Sequence, residues 1–174
     1  MRRRLFVDTT VFVGAYREAG SAEDELLESA ALGDFTVVLS QQLVDESLRV
    51  VQGLYGQRAA STLRATLFEF PSLRFVGSPE WERMLALLTP YVRDPSDGPH
   101  FAAARAGRAD ALVTHNRRSV LPGMFEFVPI VAPETILPAV RGDRAWPKNA
   151  ELLAAWNEWA RTSPRAPRKR KTER

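Results

Sequence analysis

Short apolar runs alternate with helical stretches along most of the chain, and this alternation constrains the fold more than any other feature. Five runs have the length and the apolar or β-branched character of buried strands. Strands that alternate with helices form a largely parallel sheet, so we expect an α/β fold with three layers, helices covering both faces of the sheet. The predicted strands are residues 5–7, 35–39, 74–76, 111–114 and 127–131.

Residues that favour helix ends mark several of the segments between these runs. Ser21 predicts a helix start, and Gly33 predicts the end of the same helix. Ser40 and Ser78 each precede a helical pattern, the second with a proline in its first turn. Asp97 opens a further, alanine-rich helix. The pattern therefore predicts helices between all the early strands.

The composition fits one folded domain followed by a C-terminal extension. Of the 174 residues, 45% are hydrophobic and 26% are charged, which is typical of a globular protein with a sizeable core. We expect a domain over residues 1–140, a linker and an amphipathic helix over 141–161, and a basic, disordered tail over 162–174. The tryptophan-bearing stripe of that helix either packs on its own domain or forms a docking face for a partner.

The positive net charge of +3 is confined to the C-terminus. Residues 161–174 hold seven of the 24 Lys and Arg but one of the 21 Asp and Glu, so the first 160 residues carry 17 basic against 20 acidic side chains. A basic tail attracts polyanions by counterion release, but it is equally typical of a solvated terminus.

Several classes of protein are disfavoured by what the sequence lacks. No run approaches the roughly 18 apolar residues of a membrane span, and the first apolar run stops at Asp8, too early for a secretory signal. The chain has no cysteine and two histidines, which argues against disulfides and zinc centres. We therefore expect a cytoplasmic protein without membrane association.

Acidic and amide side chains fall where the strands of a parallel sheet end. Asp8 follows the first strand, Asn116 follows the fourth, Glu46 lies on the helix after the second, and Asp97 begins the helix before the fourth. Ligands bind beyond the carboxyl ends of such strands. Clustered carboxylates remain ionised when a cation neutralises them, and Mg²⁺ and Mn²⁺ prefer oxygen ligands. A bound metal ion would activate water for attack on a phosphodiester.

Three blocks of sequence resemble those of PIN-domain proteins, especially the toxin components of toxin–antitoxin pairs. The first block is FVDTTVFV at residues 6–13, and the second is SQQLVDE at residues 40–46. The third and most specific block begins with RDPSD at residues 93–97 and ends with LVT at residues 112–114. The resemblance spans roughly residues 4–138.

This resemblance implies a PIN-like, flap-nuclease-like sandwich with the activity of an endoribonuclease. It carries over Asp8, Glu46 and Asp97 as catalytic, metal-binding acids, with Asn116 as a fourth ligand and Mg²⁺ or Mn²⁺ as the cofactor. It also implies single-stranded RNA as substrate, a cognate antitoxin as partner and a homodimer.

The chain departs from the family at Asn116, where many members have Asp, so the site carries one charge fewer. Asp94 either supplies that charge or forms the turn before the next residue, a proline. Thr9 and Thr114 are candidates to orient metal-bound water or phosphate. His115 is expected to be a bystander.

A second function stays open beside the ribonuclease: a non-catalytic PIN-like module that binds RNA or protein. A phosphatase or nucleotide-binding domain is disfavoured, because no second aspartate stands two residues after Asp8 and the chain has no glycine-rich phosphate loop.

Overall fold

The computed structural model describes residues 2–162, and within them five strands form one parallel sheet in the order β3-β2-β1-β4-β5. The predicted tail lies almost wholly outside these residues. The strands are β1 Arg4–Val7, β2 Thr36–Ser40, β3 Leu73–Val76, β4 Ala111–Val113 and β5 Ile130–Val131. The helices are α1 Thr9–Arg17, α2 Ala22–Leu32, α3 Gln41–Glu69, α4 Ser78–Leu88, α5 Gly98–Ala106, α6 Pro133–Val140 and α7 Asn149–Thr162.

Helices cover both faces of the sheet, so the expected α/β sandwich is confirmed. The chain runs outward from β1 through β2 to β3, then returns through α4 and α5 to β4 on the other side of β1. Because parallel crossovers are right-handed, this reversal puts α4 and α5 on the face opposite α1, α2 and α3. The last three residues of β1, Leu5, Phe6 and Val7, are completely buried, as a strand covered on both faces requires.

The reversal of strand order creates a switch point at the carboxyl ends of β1 and β4. Leu5 is paired with Val37 of β2 on one side and with Ala111 of β4 on the other. The connections after β1 and β4 diverge to opposite faces, which leaves a crevice between them. The residues that follow these two strands therefore line a common opening.

Several predicted helix boundaries are confirmed by their capping groups. The hydroxyl of Ser21 accepts the backbone N–H of Asp24 at 3.3 Å, and Gly33 ends α2 with a left-handed φ of 79°. Ser40 accepts the N–H of Leu43 in the same way at the start of α3. The helix that begins after Ser40, α3, is kinked at Gly56, where φ is +85°.

The region around the first and last strands differs from the prediction. Helix α1 begins directly after Asp8 and was not predicted, because its first residues, Thr9, Thr10 and Val11, are β-branched and favour strands in isolation. The last strand covers Ile130–Val131 instead of residues 127–131. Pro129 has no N–H to donate, and pairing begins with its carbonyl, which accepts the N–H of Leu112 at 2.8 Å.

The C-terminal helix α7 packs on the end of the sheet beside β5. Leu152 and Trp156 are buried, and the ring of Trp156 meets Phe125 edge-on with centroids 5.8 Å apart. The indole N–H of Trp156 donates to the carbonyl of Arg117 at 3.2 Å. This helix is therefore attached to the loop that follows β4.

Gly107, at the end of α5, is required by close packing rather than by its backbone angles. A Cβ atom there would overlap the side chain of Val38 and lie 3.0 Å from Cγ2 of Val76, and both valines are fully buried. We expect Gly107→Ala to lower the free energy of unfolding by about 1–3 kcal/mol, the usual cost of overfilling a core. Urea unfolding measures this change.

Gly53→Ala is the matched control, because a Cβ atom at this exposed position in α3 meets nothing within 4 Å. It should stabilise the protein by about 0.4–1 kcal/mol, because alanine reduces the conformational entropy of the unfolded chain. Equal effects of the two substitutions would contradict the packing role of Gly107.

Candidate metal-dependent nuclease site

A cleft of about 480 Å³ opens at the switch point. It brings together six of the seven residues predicted for the site: Asp8, Thr9, Glu46, Asp97, Thr114 and Asn116. The seventh, Asp94, does not line this cleft. Its carboxylate accepts the N–H and the hydroxyl of Ser96 at 3.0 and 2.8 Å, so it caps the short turn that precedes α5.

Asp8 is a buried acid of the cleft with two hydroxyl groups as hydrogen-bond donors. Its backbone occupies the N-cap position of α1, but its side chain makes no cap hydrogen bond and points to the site instead. Oδ2 accepts hydrogen bonds from the hydroxyls of Thr10 and Thr114 at 2.9 and 2.7 Å. Burial alone would raise the pKa of Asp8, but these hydrogen bonds and the contact with His100 outweigh it and lower the pKa. Asp8 is therefore ionised although it is buried.

The two threonine hydroxyls form a small network around Asp8. They lie 3.2 Å from each other, Thr10 accepts the backbone N–H of His115 at 3.2 Å, and Thr114 accepts that of Asn116 at 2.8 Å. Thr10 was not among the predicted site residues, whereas the hydroxyl of Thr9 lies 3.0 Å from that of Ser47. Thr9 thus joins α1 to α3, and Thr10 and Thr114 orient the carboxylate.

A buried histidine, His100, lies between Asp8 and Glu46. Its Nδ1 is 3.4 Å from Oδ1 of Asp8, and its Nε2 is 3.2 Å from Oε2 of Glu46. Nε2 is inaccessible to solvent and makes no aligned hydrogen bond. Burial lowers the pKa of His100, but the hydrogen bond with Asp8 and the charges of Asp8, Glu46 and Asp97 outweigh it and raise the pKa.

Sequence reasoning missed His100, because this histidine was considered only as a possible zinc ligand. One signal was available: His100 follows Asp97 by three residues at the start of an amphipathic helix, and side chains at this spacing share a face. A partner for Glu46 was also needed, since a carboxylate near a core is costly without one.

Asp97 and Asn116 lie together at the cleft. The amide nitrogen of Asn116 donates to Oδ2 of Asp97 at 3.2 Å. Burial, followed by the charges of Asp94 and Asp8, raises the pKa of Asp97, although Ser119 and His100 act in the opposite direction. Burial and neighbouring carboxylates therefore disfavour the charge on Asp97, whereas hydrogen bonds and His100 favour the charge on Asp8.

A second acid–histidine pair, also missed from the sequence, is Glu23 and His115. Oε1 of Glu23 and Nε2 of His115 are 2.6 Å apart, and both residues line the cleft. Across residues 2–162, no three acidic or histidine side chains are close enough together to form a metal cluster.

Comparison with known families decides the classification. The PIN-domain family model matches residues 4–118, about two thirds of the chain and all of the cleft residues named above. The chain belongs to the PIN-domain family. The resemblance seen in the three sequence blocks is thereby confirmed.

Further comparisons of this PIN domain are more distant. A solved structure, the crystal structure of VapC20 from Mycobacterium tuberculosis, a toxin that cleaves the sarcin-ricin loop, is 22% identical and superposes with a TM-score of 0.46. The match covers 62% of this chain and 86% of that one. No match was found among curated protein sequences. Within residues 2–162, no helix is long and apolar enough to span a membrane.

The two aspartates should respond differently to neutralisation. We expect Asp8→Asn to lower the free energy of unfolding by about 1–2 kcal/mol at neutral pH in EDTA, because it weakens hydrogen bonds to an ionised group. Asp97→Asn should leave the stability unchanged or higher, because the folded state disfavours its charge. Thermal and urea unfolding of the three proteins provide the measurement.

The effect of Asp8 has a defined pH dependence. Folding lowers its pKa from 3.8, so the stabilisation is fully present above that value and is lost as the pH falls through the folded-state pKa. The difference between wild type and Asp8→Asn should therefore close on acidification. An Asp8→Asn protein as stable as wild type at neutral pH would contradict this account of Asp8.

Proposed function

We propose that this PIN domain is a metal-dependent endoribonuclease that hydrolyses phosphodiester bonds of single-stranded RNA. The observation that carries the proposal is the buried, ionised Asp8 in one cleft with Glu46, Asp97 and Asn116. Four oxygen-bearing side chains at the switch point of a parallel sheet are the donors expected for Mg²⁺ or Mn²⁺.

The chemistry of this donor set fits a hard divalent cation. The pKa of Asp97 is raised in part by the charge of Asp8, and a cation would remove that penalty. We assign Asp8, Glu46, Asp97 and Asn116 as the residues that hold the ion.

A bound ion would lower the pKa of water and stabilise charge on the phosphate oxygens. The residues of the chain supply the positioning. Thr10 and Thr114 hold the carboxylate of Asp8 in one orientation, so no reorganisation of this ligand is needed when RNA binds. His100 keeps Glu46 and Asp8 apart and offsets their charges.

The biological role proposed here is that of the toxin in a toxin–antitoxin pair, checked by a cognate antitoxin and acting as a homodimer. This role rests on the resemblance of the three sequence blocks to the toxin subgroup. Copurification with the product of a neighbouring gene would test it directly.

The second candidate is a non-catalytic PIN-like module that binds RNA or protein, and Asn116 is the observation that favours it. Its amide adds no charge to the site and donates to Asp97, which uses one of the oxygens available to an ion. Metal binding by the purified protein separates the two candidates.

Cleavage of labelled single-stranded RNA in Mn²⁺, Mg²⁺ or EDTA tests the activity. We expect Asp8→Asn and Asp97→Asn each to lower kcat/KM by at least about 100-fold, because each removes a charged ligand at the reacting centre. Asp94→Asn is the matched control: it neutralises an exposed acid three residues from Asp97 and should retain activity within a few-fold. Equal losses at 94 and 97 would contradict the assignment, and cleavage in EDTA would contradict metal dependence.

Restoring a charge at position 116 should strengthen metal binding. We expect Asn116→Asp to bind Mn²⁺ roughly tenfold more tightly, equivalent to about 1.4 kcal/mol, and to be less stable than wild type in EDTA. Asn149→Asp, at the exposed start of α7, is the control and should leave the affinity unchanged. Calorimetric titration measures both, and unaltered affinity in Asn116→Asp would exclude residue 116 as a ligand.

A further inference from the structure

Glu23 and His115 form a pair in the cleft that the proposed metal site does not use. The carboxylate oxygen Oε1 of Glu23 lies 2.6 Å from Nε2 of His115. The side chain of Glu23 is 10% exposed, whereas that of His115 is 40% exposed. The acid is therefore the buried support, and the imidazole is the part of the pair that faces solvent in the cleft.

The position of Glu23 depends on the absence of a side chain at Gly14. A Cβ atom at residue 14 would lie 2.7 Å from Oε1 and 2.8 Å from Cγ of Glu23. Glu23, in the first turn of α2, can therefore pack against α1 and reach His115 in the loop after β4. Burial raises the pKa of Glu23, but its own backbone N–H and the bonds with His115 and Ser21 outweigh it and lower the pKa.

His115 is held at two points. Its backbone N–H donates to the hydroxyl of Thr10, which also donates to Asp8, and its Nε2 is engaged by Glu23. It stands in sequence directly before Asn116, one of the proposed metal ligands. For the remaining polar atom of the ring, Nδ1, no hydrogen-bond partner is found among residues 2–162. The ring is therefore oriented, and one nitrogen is available to a substrate.

We propose that Nδ1 of His115, oriented by Glu23, contacts a ribose 2′-hydroxyl of the bound strand and so makes the site prefer RNA to DNA. This inference rests on the proposed function, because it places the contact beside the phosphate held at the metal site. A 2′-hydroxyl both donates and accepts hydrogen bonds, so it can pair with Nδ1 in either protonation state of the ring.

The charge of the pair favours a hydroxyl over a phosphate as the group recognised. The carboxylate of Glu23 lies against the imidazole and offsets any positive charge on it. Asp8, Glu46 and Asp97 add further negative charge in the same cleft. These four carboxylates outnumber Arg17, which lines the same cleft, so a phosphate is disfavoured here unless a metal ion holds it, whereas a neutral hydroxyl is not.

The test compares uridine oligonucleotides of one length that carry ribose, 2′-deoxyribose or 2′-fluororibose. The 2′-fluoro sugar keeps the pucker of RNA but cannot donate a hydrogen bond. The constants measured are kcat/KM with Mn²⁺ and Kd in EDTA, for wild type, His115→Ala, His115→Asn and Glu23→Gln. Thermal unfolding of each variant establishes that it is folded.

Wild type should prefer ribose to both analogues by about tenfold, the factor expected for one hydrogen bond. His115→Ala should lose activity on ribose by about that factor, with the two analogues unchanged, so that the preference disappears. His115→Asn keeps an acceptor near the position of Nδ1 and should recover part of the preference. Glu23→Gln should reduce the preference, and Glu18→Gln, which neutralises an exposed acid at the end of α1, should not.

Equal losses on all three substrates in His115→Ala would overturn the inference and leave His115 as a structural residue. If wild type cleaves none of the oligonucleotides, the proposed function fails and the binding constants decide the inference. A ribose preference in Kd that vanishes in His115→Ala would sustain it. A preference that persists in that variant, or its absence from wild type, would reject it.

Discussion

The hydrogen bonds from Thr10 and Thr114 to the carboxylate of Asp8 connect the ends of β1 and β4, where the order of the strands reverses. Asp8 follows β1 and Thr114 follows β4, so the interaction holds together the two ends from which the cleft opens. The same hydroxyls accept hydrogen bonds from the backbone N–H groups of His115 and Asn116. The orientation of every candidate group after β4 therefore depends on an ionised aspartate that is kept out of water.

Most acids of the cleft are in contact with an imidazole. Four carboxylates line it, and two histidines lie against three of them: His100 against Asp8 and Glu46, and His115 against Glu23. Asp97 has an amide as its neighbour and is the acid of the four whose pKa is raised. The hydroxyls and imidazoles around these acids give most of them a polar partner, which reduces the cost of placing several carboxylates in one cleft.

The sheet and the acids were predictable because they depend on patterns within short segments. A buried strand in a parallel sheet is a continuous apolar run, and the residues after such runs meet at one edge, which is how Asp8 and Asn116 were found. The pairing of His100 with Glu46 and of Glu23 with His115 joins residues 54 and 92 positions apart, and no local pattern specifies it. Helix α1 was missed because packing against α2 and α3 overrode the strand preference of its first residues.

Trp156 of α7 is bonded to the carbonyl of Arg117, whose guanidinium lies 4.4 Å from the ring centroid of Trp159. The family match ends at residue 118, so the loop beside Asn116 is braced by a helix from outside the part of the chain that defines the family. Among the described residues, this helix contributes no side chain to the lining of the cleft, so the candidate ligands place no direct constraint on its sequence. Substitutions at Trp156 or Trp159 would alter how firmly that loop is held. Two relatives with identical candidate ligands would then have different sites, and a comparison of the ligands alone would not show the cause.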